Sequence, residues 1–156
     1  MAQPSRVIAL LLGLLSVFSL SCESSGPVAD PEDVHVVVVM PFTGSFRTRA
    51  ERDRTAIQMA FRDLEAAGGV LPGRRIRAWE VDATDNVAEC ERRIRALIRD
   101  TLTHPTTGEP MVSAFISSTT LAFEGTLPVA VELHVPHIEI STGSHWDEYV
   151  LPSSYP

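Results

Sequence analysis

The run His35-Val36-Val37-Val38-Val39-Met40, stopped by Pro41, decides the fold. It is short, β-branched and uncharged apart from its histidine, with no polar alternation. A strand of that kind is covered on both faces, as in parallel sheets packed between helices. The folded part is therefore expected to begin at about residue 34.

The chain beyond this strand alternates. Residues 49–67 place Ile57, Ala60, Phe61 and Leu64 on one helical stripe, ended by Gly68-Gly69. After a Leu71-Pro72-Gly73 turn, residues 76–82 read as a second strand whose apolar face is only partial, which predicts a place near a sheet edge. Asp85 or Asn86 can cap the next helix, where Val87, Cys90, Ile94, Leu97 and Ile98 recur at helical spacing. Cys90 on that stripe reads as a packed thiol. Residues 111–116 form an expected third strand, about 119–134 a helix that Pro128 should kink or restart, and 136–140 a fourth strand. Strand and helix in strict alternation predict an α/β fold, a Rossmann-like parallel sheet with helices on both faces.

The leader precedes all this. Arg6 is the one charge before an apolar run over 7–18, and Ser19 and Ser21 flank Leu20 just before Cys22. This reads as a signal peptide over 1–21, too short to span a bilayer, which needs roughly 20 apolar residues. Cys22 either carries a lipid, as after a bacterial lipobox, or stands beside an ordinary secretory cut; both imply an exported chain, periplasmic or cell-surface. The stretch 22–33, rich in Ser, Gly, Pro and Asp, reads as a tether, and 34–156 as a single domain.

The net charge of −7 argues against nucleic acid and anionic lipid as partners. All positive charge is arginine. With no lysine, no GxxxxGK[ST] and no GxGxxG after the first strand, no phosphate-binding loop or nucleotide cofactor is expected. No GxSxG elbow surrounds Ser117, Ser118 or Ser144, and the five histidines do not fall at metal-ligand spacing, so neither a catalytic residue nor a metal site is predicted. His134 and His137 read as a helix end and a strand edge. Asp82 and Asp85 read as capping groups, and Arg47, Arg49, Arg52 and Arg54, interleaved with Glu51 and Asp53, as a solvated helix start.

In such sheets ligands bind beyond the carboxyl ends of the strands, where strand order reverses. Three loops meet there: 41–46, 117–120 and 141–146. Ser117, Ser118 and Thr119 stand where a strand becomes a helix, and their hydroxyls with the helix N–H groups can hold a carboxylate. The other reading is that they are capping residues. Ser144 and His145 offer a carbonyl and a polar side chain to an ammonium or amide group.

The stretches VVVVMPFTGSF (36–46), AIQMAFRDLEAAGGVLPGRRIRAWEVDATDN (56–86) and FISSTTLAFEGTLPVAVELHVPHIEISTGS (115–144) resemble, in order and spacing, the first lobe of the type 1 periplasmic binding proteins. These are the branched-chain amino-acid and amide receptors of ABC transporters. The resemblance implies a receptor that binds an amino acid or amide-like small solute and hands it to an ABC permease, with no cofactor. It places Ser118, or Ser117 beside it, on a ligand carboxylate, and Ser144 with His145 or Trp146 on the amino group; Thr43 of the P-x-T-G segment joins the candidate ligand residues. His145-Trp146 departs from the family's small residues and Thr, which implies an altered pocket. A receptor of this kind needs about twice this length, so the chain is expected to be an N-terminal portion with weak or no binding on its own. A sensor domain of the same fold and an exported α/β enzyme are the alternatives.

Overall fold

A computed structural model of the chain describes residues 29–140. The leader, Cys22 and the candidates Ser144, His145 and Trp146 lie outside the described residues. The elements are β1 (Val34–Met40), α1 (Arg47–Ala66), β2 (Ile76–Asp82), α2 (Val87–Asp100), β3 (Ala114–Ser117), α3 (Thr120–Leu133) and β4 (His137–Glu139). All three strand pairings are parallel, in the order β2-β1-β3-β4. The expected α/β architecture is therefore present, and β2 stands at an edge as its partial apolar face predicted.

The strand period of two divides β1 between two cores. Val37 and Val39 join Val81, Cys90, Ile94, Ile98, Phe115, Ala122 and Val129 under α2 and α3. Val36, Val38 and Met40 join Ala50 and Ile76 under α1, with Ile57 and Phe61 half-buried against them. The first layer is much the larger. Of the α1 stripe, Ala60 and Leu64 are exposed after all. A helix of 20 residues is about 30 Å long and the seven-residue β1 only about 23 Å, so the last turns of α1 overrun the sheet.

Two further expectations change. Residues 111–113 are not strand: pairing with β1 starts only at Ala114 opposite Val36, while the Met111 N–H is taken by the Leu102 carbonyl. Pro128 does not restart the helix. It sits on the exposed side of α3, while Ala122, Gly125, Thr126, Val129 and Ala130 hold the inner side down on either side of it. Ala29 and Asp33, from the end of the stretch read as tether, are buried. The Asp33 carboxylate accepts from Arg75 and Arg77 and fastens the entry of β1 to β2.

Helices α2 and α3 meet through a glycine. A Cβ on Gly125 would lie 2.7 Å from the Cys90 sulfur, 2.8 Å from its Cβ and 3.1 Å from the Val87 carbonyl oxygen. Cys90 is the packed thiol the stripe predicted, and burial pushes it up to about 11. Gly125→Ala should cost about 1–3 kcal/mol in a urea-unfolding measurement, because the helices must part. Cys90→Ala in that background should recover only part of the loss, since the Cys90 Cβ position and the Val87 carbonyl still obstruct.

Candidate functional site

Because β1 leads away to one side of the sheet and β3 to the other, strand order reverses between them, and these two strands are adjacent. Val39 lies opposite Ser117 in the register. The loop after β1 and the loop after β3 thus stand side by side at the carboxyl end of the sheet, as the sequence predicted. The chain leaving β4 joins them: the Ile140 N–H donates to the Ser117 carbonyl at 2.9 Å.

Each hydroxyl at this point has a particular occupation. The Thr43 hydroxyl donates to Asp82 at 2.7 Å, and its N–H to the other carboxylate oxygen at 3.2 Å. Thr43 therefore clasps the loop after β1 to the end of β2. Burial pushes the Asp82 carboxyl up, but the Thr43 hydroxyl, the Thr84 and Thr43 N–H groups and Arg93 outweigh it and hold the acid below its ordinary value. Gly44, at φ +79°, lets the loop turn beneath Asp85, whose carboxylate lies 2.7 Å from where a Cβ would sit. These contacts give the P-x-T-G segment a structural task whatever else it binds. Thr43→Val should cost about 1 kcal/mol in thermal or urea unfolding. It should also bring Asp82 back toward the usual carboxylate range in an NMR titration.

Ser117 is fully buried and its hydroxyl bonds the His137 Nε2 at 2.8 Å. His137 stacks on Phe123 of α3 at 5.0 Å between ring centroids and meets the edge of Phe115. Burial pushes this imidazole down to about 4, so it is neutral at ordinary pH. The pair has the reach of a nucleophile and a base, with the serine fully buried and the ring half-buried against Phe123 of α3. Thr119 is the N-cap of α3, accepting from the Ala122 N–H at 3.2 Å. Asn86 caps α2 in the same way.

Ser118 differs from all of these. It is fully buried, and its hydroxyl has no hydrogen-bond partner. Buried hydroxyls are rarely left so, at a cost of about 1–3 kcal/mol. It lies beside the start of α3, where Thr119 satisfies only one of the first N–H groups, leaving those of Thr120 and Leu121 without an intrahelical acceptor. Among the described residues no group of three His, Cys, Asp or Glu side chains could hold a metal. Of the arginines at the start of α1, Arg47, Arg49 and Arg54 pair with Glu51, Asp53 and Glu80.

Sequence reasoning placed Thr43, Ser117, Ser118 and Thr119 in adjoining loops at one end of the sheet, and they are there. It could not see Asp82 and His137 as the partners of two of them. The one available signal for His137 was a polar ring at the start of a short strand.

The sheet order and the crevice between β1 and β3 are those of a lobe of the periplasmic-binding-protein type 1 fold. Solved structures of ABC-transporter substrate-binding proteins share it. The chain is similar to the branched-chain amino acid transporter substrate binding protein LivJ of Streptococcus pneumoniae, solved with isoleucine, at 20% identity and a TM-score of 0.57 over 72% of this chain and 30% of that one. It is similar to an ABC transporter substrate-binding protein of Sphaerobacter thermophilus at 19% identity and a TM-score of 0.55, over 72% and 28%. A solute binding protein of an ABC transporter from Rhodopseudomonas palustris, solved with 3,4-dihydroxybenzoic acid, follows at 20% identity and a TM-score of 0.52, again over 72% and 28%. The chain thus spans less than a third of the length of the structures it matches. No protein-family model and no curated protein sequence matches it.

Proposed function

We propose that the chain is part of an exported solute-binding receptor that delivers a small carboxylate-bearing solute, an amino acid or a related compound, to an ABC permease. The observation that carries this reading is the unpartnered, buried Ser118 hydroxyl at the N-terminus of α3, in the crevice where strand order reverses. A ligand carboxylate seated there accepts from that hydroxyl and from the free helix N–H groups, and the helix dipole favours its negative charge. Isoleucine and 3,4-dihydroxybenzoic acid, the molecules bound in two of the similar structures, both carry a carboxyl group. The grip needs no chemistry on the solute, which makes a binding protein the better reading than an enzyme. Thr43, Ser117 and Thr119 shape the crevice, and Ser144, His145 and Trp146 are the further ligand residues this reading assigns. Export and a lipid on Cys22 place the receptor outside the cytoplasmic membrane.

Calorimetric titration of the full gene product, with isoleucine and with 3,4-dihydroxybenzoate as probes, tests the reading. Binding of either, weakened about tenfold or more by Ser118→Ala, is the expected result. Binding that Ser118→Ala leaves unchanged removes Ser118 from the site, and binding of neither probe removes the solute class.

A further inference from the structure

The end of the sheet opposite the crevice holds the root of the entering chain and an apolar turn side by side. All strand pairings are parallel and Val34 lies opposite Ile76, so the amino ends of β1 and β2 share that end with the turn that joins α1 to β2. Residues 30–33 are fastened to this turn. Arg75 and Arg77 donate to the Asp33 carboxylate, Arg75 also faces Asp30, and Arg74 faces Glu32. The Val34 N–H donates to the Arg75 carbonyl at 2.8 Å. The turn is tight, with Leu71 bridged to Arg74, and it leaves two adjacent apolar side chains in water: Val70 is 48% exposed and Leu71 46%. Leu64, 42% exposed, belongs to the same end, since the Gly69 N–H donates to its carbonyl at 2.8 Å.

We propose that the turn over residues 70–75 is a membrane-contact surface, which seats Val70 and Leu71 among lipid headgroups and turns the crevice away from the bilayer. The proposal rests on the reading of Cys22 as the lipid-bearing residue. Only residues 23–28 separate Cys22 from the buried Ala29. A leash of that length spans at most about 25 Å and has a relaxed reach of about 15 Å. A lobe standing on its crevice would hold the root above that reach by strand length alone, about 23 Å, and the loops beyond the strands add to it. The leash therefore presents to the lipid the end where the root is fastened, and that end is the one with the exposed apolar turn. Val70 and Leu71 gain by leaving water for the headgroup boundary, while the arginine stems can lie along it with their charges in water. The charges also decide the kind of lipid. Arg74, Arg75 and Arg77 are matched by Glu32, Asp30 and Asp33, so the contact is apolar and needs no anionic headgroup.

The full gene product, purified with its lipid and placed in phosphatidylcholine vesicles, tests the surface. An environment-sensitive dye is attached at Pro72→Cys in the turn or at Ser45→Cys in the loop after β1, both exposed positions, and Cys90 is buried away from it. Energy transfer to an acceptor on the lipid headgroups should place the dye at 72 about 20 Å or more nearer the lipid plane than the dye at 45. The emission of the dye at 72 should shift to that of an apolar setting, and Val70→Ser with Leu71→Ser should return it to the value in water. Labels of equal depth, or a deeper label at 45, on a chain that carries its lipid overturn the proposal alone. Emission that the double variant leaves unchanged overturns the apolar contact. A chain whose mass shows an unmodified Cys22 and which does not float with the vesicles overturns the anchor reading, and this proposal with it.

Discussion

Phe115→Ala is expected to cost about 3–5 kcal/mol in urea or thermal unfolding, the range for emptying a closed core of an aromatic ring. Among the described residues Phe115 is the largest of the fully buried side chains, and it lies on β3 within the larger core. A domain of this size has about 5–15 kcal/mol in hand, so the substitution would remove much of it. The loss should extend to chemistry, because the ring also walls in His137. With that wall gone water reaches the imidazole, and its titration should move back up toward the ordinary histidine value. A loss below about 1 kcal/mol would mean that the core collapses around the gap, contrary to a close-packed seam between β1, β3 and α3.

Acid is expected to act through His137. The folded chain holds this imidazole near 4 because burial disfavours its charged form. The unfolded chain titrates it at about 6.5. Above that pH both states are neutral and the group leaves stability unaffected. As pH falls below about 6.5 the unfolded chain gains a proton that the folded chain refuses, so stability declines, and the decline levels off near pH 4. Discounted for the ring's partial access to solvent, the loss is about 2 kcal/mol over that window. The carboxylates with depressed values, Asp33, Asp82, Glu89 and Asp100, begin to lose their contribution as pH falls through their ordinary range, at the acid end of this window, so the comparison with a His137 variant is what isolates the ring. Urea unfolding at about pH 7 and about pH 4.5 should show the difference, and His137→Asn should remove the share that belongs to this ring. Equal slopes in the two proteins would contradict a buried neutral imidazole.

Architecture was legible because it is written in local pattern. The uncharged run ending at Met40, the stripe through Cys90, Ile94 and Ile98, and the weak apolar face of residues 76–82 each report burial directly. The site was legible as a place and less so as a set of contacts. Thr43, Ser117, Ser118 and Thr119 look alike in a sequence, since each is a hydroxyl in a loop. What separates them is the partner within reach, and for two of them it comes from far along the chain, Asp82 for Thr43 and His137 for Ser117. The errors have the same origin. Residues 111–113 have strand-like composition, but register with β1 begins at Ala114. Leu64 keeps the helical spacing, yet the sheet beneath α1 has already ended.

The two flanking layers are unequal, and this bears on how the crevice can open. Helix α1 has a single fully buried residue, Ala50, whereas α2 and α3 each sink at least three into the sheet. Local opening follows the weaker attachment. The wall of the crevice that carries Thr43 leads into α1, and the wall that carries Ser118 leads into α3. One jaw is thus hung on a loose hinge plate and the other bolted to the frame, so on the proposed reading a solute would meet a rigid wall at Ser118 and a facing wall still able to adjust.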